Sequence, residues 1–185
     1  VKSSNEGLFT TDKDWEKKFE KREETVDSLR EDVIEYLVKL TQRPLTEQES
    51  VAIPKLIHAV NDIERIGDLS ENIMEQAQSC RENRIKFSAQ GRHDLQQMHE
   101  EIEKMIELTH AALKSFDPAR AQLVLDQEEV INKLDRKMRD AQIKRVQEGQ
   151  SKIPASISFL DIITNLERIG DHLTNIADAV IFSNR

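Results

Sequence analysis

A pair of carboxylates spaced one helical turn apart occurs twice in this sequence. Glu64 and Asp68 are the first and last residues of the pentapeptide Glu-Arg-Ile-Gly-Asp, and Glu167 and Asp171 bound the same pentapeptide 103 positions later. Residues four apart lie on one face of a helix, so each pair presents two carboxylates side by side. Carboxylate oxygens are hard ligands, suited to Mg, Mn, Ca or Fe rather than to a thiolate zinc site. The repeated motif therefore predicts two related cation-binding surfaces.

Each copy of the motif carries a local cost to helix stability. Two like charges four residues apart destabilise an isolated helix by about 0.2–0.5 kcal/mol. Glycine inside a helix costs about 1 kcal/mol relative to alanine, and Gly67 and Gly170 take the same place in the two copies. A bound cation and a close approach between helices would explain both costs. The alternative is an ordinary solvated acidic face that Arg65 and Arg168 neutralise.

The other reactive residue types form no catalytic arrangement in the sequence. The histidines include no pair spaced i, i+4, and only His172 adjoins a repeated carboxylate. Cys80 lies among polar residues with no histidine at a suggestive spacing. We therefore expect no enzymatic activity and no catalytic residue. A metal-dependent phosphoester hydrolase built on carboxylates is the disfavoured alternative.

Five long helices are predicted from apolar residues that recur every three or four positions. Thr46 and Glu49 form a capping box before the second helix, and Asp117-Pro118 ends the third helix and begins the fourth. Short connections make neighbouring helices antiparallel, so we expect an all-α fold, an elongated antiparallel helical bundle. The predicted inward residues of the first helix are Trp15, Phe19, Val26, Leu29, Val33, Leu37 and Leu40. Those of the fifth helix are Ile157, Leu160, Ile163, Leu166, Ile169, Leu173, Ile176 and Val180.

The composition excludes several other classes of protein. The chain has 185 residues, and 27 Lys and Arg against 35 Asp and Glu give a formal charge of −8, which disfavours nucleic acid as a partner. The five glycines are scattered, so no glycine-rich phosphate loop is present. No apolar run is long enough to span a membrane, and the one cysteine fits a reducing compartment. Charge-rich chains with few aromatic residues can be disordered, but the helical periodicity argues against disorder here.

The repeat divides the chain into two units. We place the first over residues 1–84, with two helices, and the second over residues 85–185, with three. The stretch Glu23–Asp27 resembles Glu128–Asn132, 105 positions later, which supports the same division. The first unit therefore lacks a counterpart of the third helix, and we expect that helix to precede Val1 in a longer chain.

The twin motifs, each on the last helix of a unit, resemble those of the PhoU family. The resemblance extends from about Leu8 to Val180. It implies two tandem three-helix bundles whose acidic motifs hold clusters of metal ions, with Fe, Zn, Mn or Mg as candidates. It also implies a role in phosphate homeostasis, in which the protein restrains phosphate uptake and relays phosphate status to transporter and kinase partners.

The resemblance also assigns metal ligands by position. The first site uses Glu23, Asp27, Glu64 and Asp68. The second site uses Glu128, Asn132, Glu167 and Asp171. Asn132 departs from the acidic pattern of the family and weakens the second site.

The stretch Tyr36–Leu45 is similar to the PhoU-like tail of bacterial sodium/phosphate cotransporters. We therefore expect a cytosolic regulatory tail at the cytoplasmic side of the inner membrane. Its expected partner is its own or a separate phosphate-transporter membrane domain. One alternative is a free-standing PhoU-type negative regulator of phosphate uptake signalling. The other is a structural dimerisation bundle, a homodimer that needs no metal.

Overall fold

The computed structural model describes the backbone of residues 14–183 and the side chains of residues 21–182. Its helices are α1 (Asp14–Leu40), α2 (Glu47–Glu82), α3 (Ala89–Ser115), α4 (Pro118–Gln147) and α5 (Ile153–Ser183). This part of the chain contains no strand, and the prediction of an all-α, elongated helical bundle is confirmed. None of these helices is long and apolar enough to cross a membrane.

Local sequence signals place two of the helix starts. The Glu49 amide donates a hydrogen bond to Thr46 Oγ1 at 3.2 Å, and the Thr46 amide donates to Glu49 Oε2 at 2.9 Å, so the predicted capping box forms. Asp117 Oδ1 accepts a hydrogen bond from the Ala119 amide at 2.9 Å, with Pro118 in the first turn of α4. These side chains satisfy backbone amides that have no partner inside the helix.

The central helix of the bundle is α5. It packs against α2, α3 and α4, whereas α1 packs mainly on α2. The seam between α2 and α5 is the most extensive helix–helix contact, and it joins the last helix of one unit to the last helix of the other. Large residues with almost no exposed surface fill the core, among them Ile73, Leu95, Met98, Ile102, Ile131, Phe159, Ile163 and Ile169.

The predicted inward face of α1 is partly wrong. Leu29 and Val33 are 56% and 39% exposed, whereas Leu37 is buried. The reason is that α1 packs mainly on α2, so a single narrow stripe of α1 is removed from water. Trp15 and Phe19 of the predicted stripe lie outside the residues whose side chains are described.

The predicted register of α5 is wrong near the start of the helix. Ile157 is 55% exposed, and Phe159 is buried in its place. Phe159 packs close to Gly91 of α3 and under the Arg145 guanidinium of α4, which lies 5.1 Å from the centre of the ring. These two neighbours come from distant parts of the chain, so periodicity within α5 could not identify them.

A buried ion pair joins α3 to α4 at one end of the bundle. Arg145 Nη1 lies 2.7 Å from Asp94 Oδ2, and both side chains are about nine-tenths buried. Arg145 Nε also donates to Gln142 Oε1 at 2.8 Å. A charge removed from water in this way depends on its partner, so the pair constrains how the two helices meet.

Each motif glycine faces a β-branched residue of the preceding helix. A methyl group added at Gly67 would lie 4.0 Å from Val26, and one at Gly170 would lie 3.6 Å from Ile131. Val26 and Ile131 are themselves 105 positions apart, so the two units pack in the same way. These distances are ordinary van der Waals contacts. The expected close helix–helix approach therefore does not account for the two glycines.

Candidate functional site

Four carboxylates meet where α1 packs on α2. Glu23 shares a side-chain hydrogen bond with Glu71, and the charges of Glu71, Asp27 and Asp68 all act on it. Partial burial, that hydrogen bond and the three carboxylates raise the pKa of Glu23 from 4.5 to about 7. Three predicted ligands, Glu23, Asp27 and Asp68, are thus brought together. We call these four residues the α1–α2 carboxylate cluster.

Glu64 and Glu71 are two further acidic residues on the same helix as Asp68. Glu64, a predicted ligand, lines a groove beside Asp68. Glu71, outside the predicted set, joins the cluster instead. The repeat comparison could not single out Glu71, because the residue 103 positions later is Thr174.

The second cluster, on α4 and α5, contains positive charge as well as carboxylates. Burial and the charges of Asp171 and Asp135 raise the pKa of Glu167, and Arg139 and Arg168 oppose the shift. Arg139 Nε donates to both carboxylate oxygens of Asp135, at 2.9 and 2.8 Å. The predicted ligands Glu167 and Asp171 thus lie together. Asp135, which the sequence comparison missed, is paired with arginine.

The two predicted α4 ligands contact each other. Asn132 Nδ2 donates to Glu128 Oε1 at 3.3 Å, one turn along the same helix. On α5, the charge of Asp171 acts on Glu167, so each helix brings its own two predicted ligands together.

The two clusters differ in how well they suit a metal ion. Among residues 21–182, whose side chains the structure describes, no three His, Cys, Asp or Glu side chains converge closely enough to form a ready-made metal site. The α1–α2 carboxylate cluster nevertheless supplies the oxygen donors that a hard cation prefers. Burial is the main cause of the raised pKa of Glu23, and a cation would relieve the repulsion from neighbouring carboxylates that adds to it. The second cluster fits less well, because Asn132 is neutral and Arg139 already pairs with Asp135.

A polar contact crosses the seam between α2 and α5. His172 Nδ1 lies 2.7 Å from Asp62 Oδ1, and Asn175 Nδ2 donates to the same oxygen at 3.3 Å. The sequence comparison left Asp62 out of the repeated set because Asn165 stands at the matching position. The residue that breaks the repeat therefore forms the link between the units.

A groove along the same seam collects arginines from three helices. The groove is lined by Arg30 of α1, Arg65 of α2 and Arg168 of α5, and Arg30 Nε donates to Asn61 Oδ1 at 3.0 Å. We call this the arginine groove. Its polar lining residues are Arg30, Asn61, Glu64, Arg65, Asp68, Asn72, Arg168 and His172. The two motif arginines, 103 positions apart in sequence, thus border one groove.

Two further titratable residues are buried away from these clusters. Burial raises the pKa of the Cys80 thiol, and a hydrogen bond with Ser158 opposes the shift. The thiol therefore stays protonated at neutral pH and is a weak nucleophile. Burial lowers the pKa of His99, against the opposing effect of Glu103. The buried imidazole therefore resists protonation.

Comparison with known proteins matches two segments of the chain to one family. The PhoU domain family matches residues 1–77 and 95–180. The phosphate-specific transport system accessory protein PhoU homolog 1 of Thermotoga maritima is 28% identical over 182 residues, which is 96% of this chain and 76% of the relative. The PhoU homolog of Clostridium acetobutylicum is 21% identical over 168 residues, 88% of this chain and 74% of the relative.

Solved structures share the fold. The crystal structure of PhoU from Pseudomonas aeruginosa superposes with a TM-score of 0.90 at 21% identity, covering 100% of this chain and 88% of that one. The phosphate transport system regulatory protein PhoU from Streptococcus pneumoniae gives a TM-score of 0.84 at 18% identity, covering 99% and 86%. At these identities the similarity concerns the fold alone.

Proposed function

We propose that this chain, which belongs to the PhoU domain family, is a regulator of phosphate transport. The observation that carries the proposal is that the family matches residues 1–77 and 95–180, one segment in each predicted unit. We accordingly retain residues 1–84 and 85–185 as the proposed units. Two curated relatives are named as accessory proteins of a phosphate-specific transport system, so the partner we propose is a phosphate transporter.

The names of the relatives favour one of the alternatives from the sequence. They describe accessory proteins of a transport system, not tails of sodium-dependent cotransporters. We therefore favour a PhoU-type negative regulator that acts on a separate transporter, at the cytoplasmic face of the membrane. The cotransporter-tail interpretation rests on the similarity of Tyr36–Leu45 and on the incomplete first unit. In this proposal the chain acts by binding and catalyses no reaction.

We also propose that a divalent cation binds the α1–α2 carboxylate cluster. The candidates are Fe, Zn, Mn and Mg, since carboxylate oxygens serve all four. Glu64, one turn before Asp68, completes the ligand set taken from the family pattern. Support comes from the repulsion by neighbouring carboxylates, which adds to burial in raising the pKa of Glu23 and which a cation would offset. A second cation at Glu128, Asn132, Glu167 and Asp171 would bind more weakly.

The regulatory proposal is tested by phosphate uptake in cells. Bacteria that lack their own PhoU-type regulator would express this chain, and uptake of labelled phosphate would be measured at high external phosphate. We expect the chain to lower uptake, and the Asp27→Ala/Asp68→Ala variant to lower it less. Glu31→Ala/Glu35→Ala, which removes two exposed acids four residues apart on α1, is the matched control. Uptake that does not respond to the wild-type chain would contradict the proposal.

A structural bundle that self-associates is the second candidate, and exposed apolar residues on α1 favour it. Leu29, Val33 and Tyr36 are 56%, 39% and 62% exposed and lie at helical spacing. Their repeat counterparts include Leu134 and Met138, which are buried in the core. Sedimentation with and without a chelator separates the candidates. A dimer that forms equally with and without the chelator, and that the Leu29→Asp/Val33→Asp variant no longer forms, supports the structural bundle.

A further inference from the structure

We propose that the arginine groove binds inorganic phosphate as a ligand of this protein. Arg65 and Arg168 bind the phosphate oxygens, Arg30 contributes a third guanidinium, and Glu64 accepts a hydrogen bond from the proton that phosphate keeps at neutral pH. The site lies between the two units, so it exists only when both motifs are folded against each other.

The first argument is the convergence of guanidinium groups. Arg65 and Arg168 hold the same position in the two copies of the motif, and the packing of α2 on α5 brings both to one groove. Arg30 reaches the same groove from α1. Guanidinium groups bind phosphate oxygens through paired N–H donors, which gives strong, charge-assisted hydrogen bonds. Three such groups on three helices form a recognition surface for an oxyanion.

The second argument is that these donors are available. Arg65 and Arg168 are exposed, and neither forms an ion pair or a hydrogen bond with another residue in the described part of the chain. Arg30 uses its Nε on Asn61 Oδ1, which orients the side chain and leaves its two terminal nitrogens. The charge of Arg168 also acts on Glu167 of its own motif, so a bound anion would share that guanidinium's charge with the carboxylate.

The third argument concerns the acid that lines the same groove. Glu64 and Asp68 would repel a fully deprotonated oxyanion. A phosphoryl group has a second pKa of about 6, and inorganic phosphate still carries a proton at neutral pH, so a carboxylate can accept a hydrogen bond from it. Sulfate carries no proton at that pH. An arginine groove with a carboxylate in its lining therefore selects phosphate over sulfate.

The choice of phosphate among oxyanions rests on the proposed function. The ligand could be free phosphate or the phosphoryl group of a larger molecule, because both present the same oxygens. The assay therefore includes a nucleoside monophosphate beside inorganic phosphate. Binding of inorganic phosphate at equal or higher affinity assigns the site to the free ion, and binding of the nucleotide alone overturns that assignment.

The test is isothermal titration calorimetry of the full chain with sodium phosphate and with sodium sulfate. A chelator is present throughout, so that no metal ion can anchor the anion. Arg65→Ala/Arg168→Ala removes the two motif guanidinium groups. Arg136→Ala/Lys137→Ala removes two exposed charges from α4 and controls for net charge. Circular dichroism establishes that each variant keeps its helices.

We expect the wild-type chain and the α4 control to bind phosphate alike. The arginine variant should bind at least about tenfold more weakly, since charge-assisted hydrogen bonds are lost. Sulfate should bind more weakly than phosphate, and the Glu64→Gln variant should show a smaller difference between its affinities for the two anions. Absence of phosphate binding, an unchanged affinity in the arginine variant, or equal binding of sulfate each overturns the proposal. The uptake experiment stands apart, because a regulator of transport need not bind the free ion itself.

Discussion

His172 Nδ1 lies 2.7 Å from Asp62 Oδ1, and this contact joins α5 to α2 across the seam between the two units. Both side chains are more than four-fifths buried. Asn175 donates to the same carboxylate oxygen, so Asp62 satisfies two polar groups of the other unit at once. The contact borders the arginine groove, which His172 also lines. Its strength therefore affects how firmly the two motifs are held together.

Replacing Asp62 with alanine should weaken the seam. The substitution leaves His172 and Asn175 without their acceptor, which we expect to lower the free energy of unfolding by about 1–3 kcal/mol. Urea denaturation measures the change. Asp161→Ala, at an exposed position on α5, is the control and should be nearly neutral. An equal effect of the two substitutions would show that the contact adds nothing to stability.

The raised pKa of Glu23 predicts a pH dependence of stability. With a pKa of about 7 in the folded protein against an ordinary value of 4.5, the folded state holds the extra proton between these limits. Stability contributed by the protonated group is therefore present below about pH 4.5 and is lost as pH rises to about 7. Metal-free Glu23→Gln should melt higher than wild type at pH 7.5 and alike at pH 4.

The neighbouring acid supplies the matched control for that experiment. Glu24→Gln removes the same charge at an exposed position on α1. Its melting temperature should follow that of the wild type at both pH values. A melting temperature of Glu23→Gln that also follows the wild type at pH 7.5 would refute the raised pKa.

Metal content tests the proposed α1–α2 cation site. Protein purified without a chelator and incubated with Mn²⁺ should retain the ion, as measured by inductively coupled plasma mass spectrometry. The Asp27→Ala/Asp68→Ala variant should retain far less. Glu167→Ala/Asp171→Ala should have a smaller effect, because Arg139 already offsets charge in that cluster. Equal retention by wild type and both variants would mean that the carboxylates hold no metal.

The motif glycines should tolerate a methyl group. At Gly67 the nearest atom to an added methyl is 4.0 Å away, so Gly67→Ala relieves the helix cost without a clash. We expect the free energy of unfolding to rise by up to about 1 kcal/mol. The same change at Gly149, where φ is +71°, should destabilise, because alanine is strained there. A lower free energy of unfolding in Gly67→Ala would contradict this prediction and would mean that the added methyl group does clash.

The buried pair of Arg145 and Asp94 should be sensitive to loss of one partner. Asp94→Ala leaves a guanidinium buried without its carboxylate, which we expect to cost about 3–5 kcal/mol in thermal or urea unfolding. Lys133→Ala breaks an exposed pair with Glu129 and should cost less than about 0.5 kcal/mol. If the two costs proved similar, Arg145 would have to find another partner or reach water.

Much of the fold follows from patterns within single segments. Helix starts at Thr46 and Asp117 were predictable because a cap involves residues two or three apart. The duplicated motif was detectable because the same five residues occur twice in the sequence, and it led to the resemblance to the PhoU family. The inward face of α1 and the register of α5 at Phe159 were not predictable, because both depend on which helices cover them.

The candidate site divides in the same way. The sequence by itself determined that Glu64, Asp68, Glu167 and Asp171 lie in pairs on helix faces, since a spacing of four residues settles that. Only the tertiary structure decided that Glu71 joins Glu23, that the charge of Asp135 acts on Glu167, and that Arg65 and Arg168 border one groove. These residues differ between the repeats or meet across helices. Which charges share a site depends on distances between helices, and distance in sequence does not encode those.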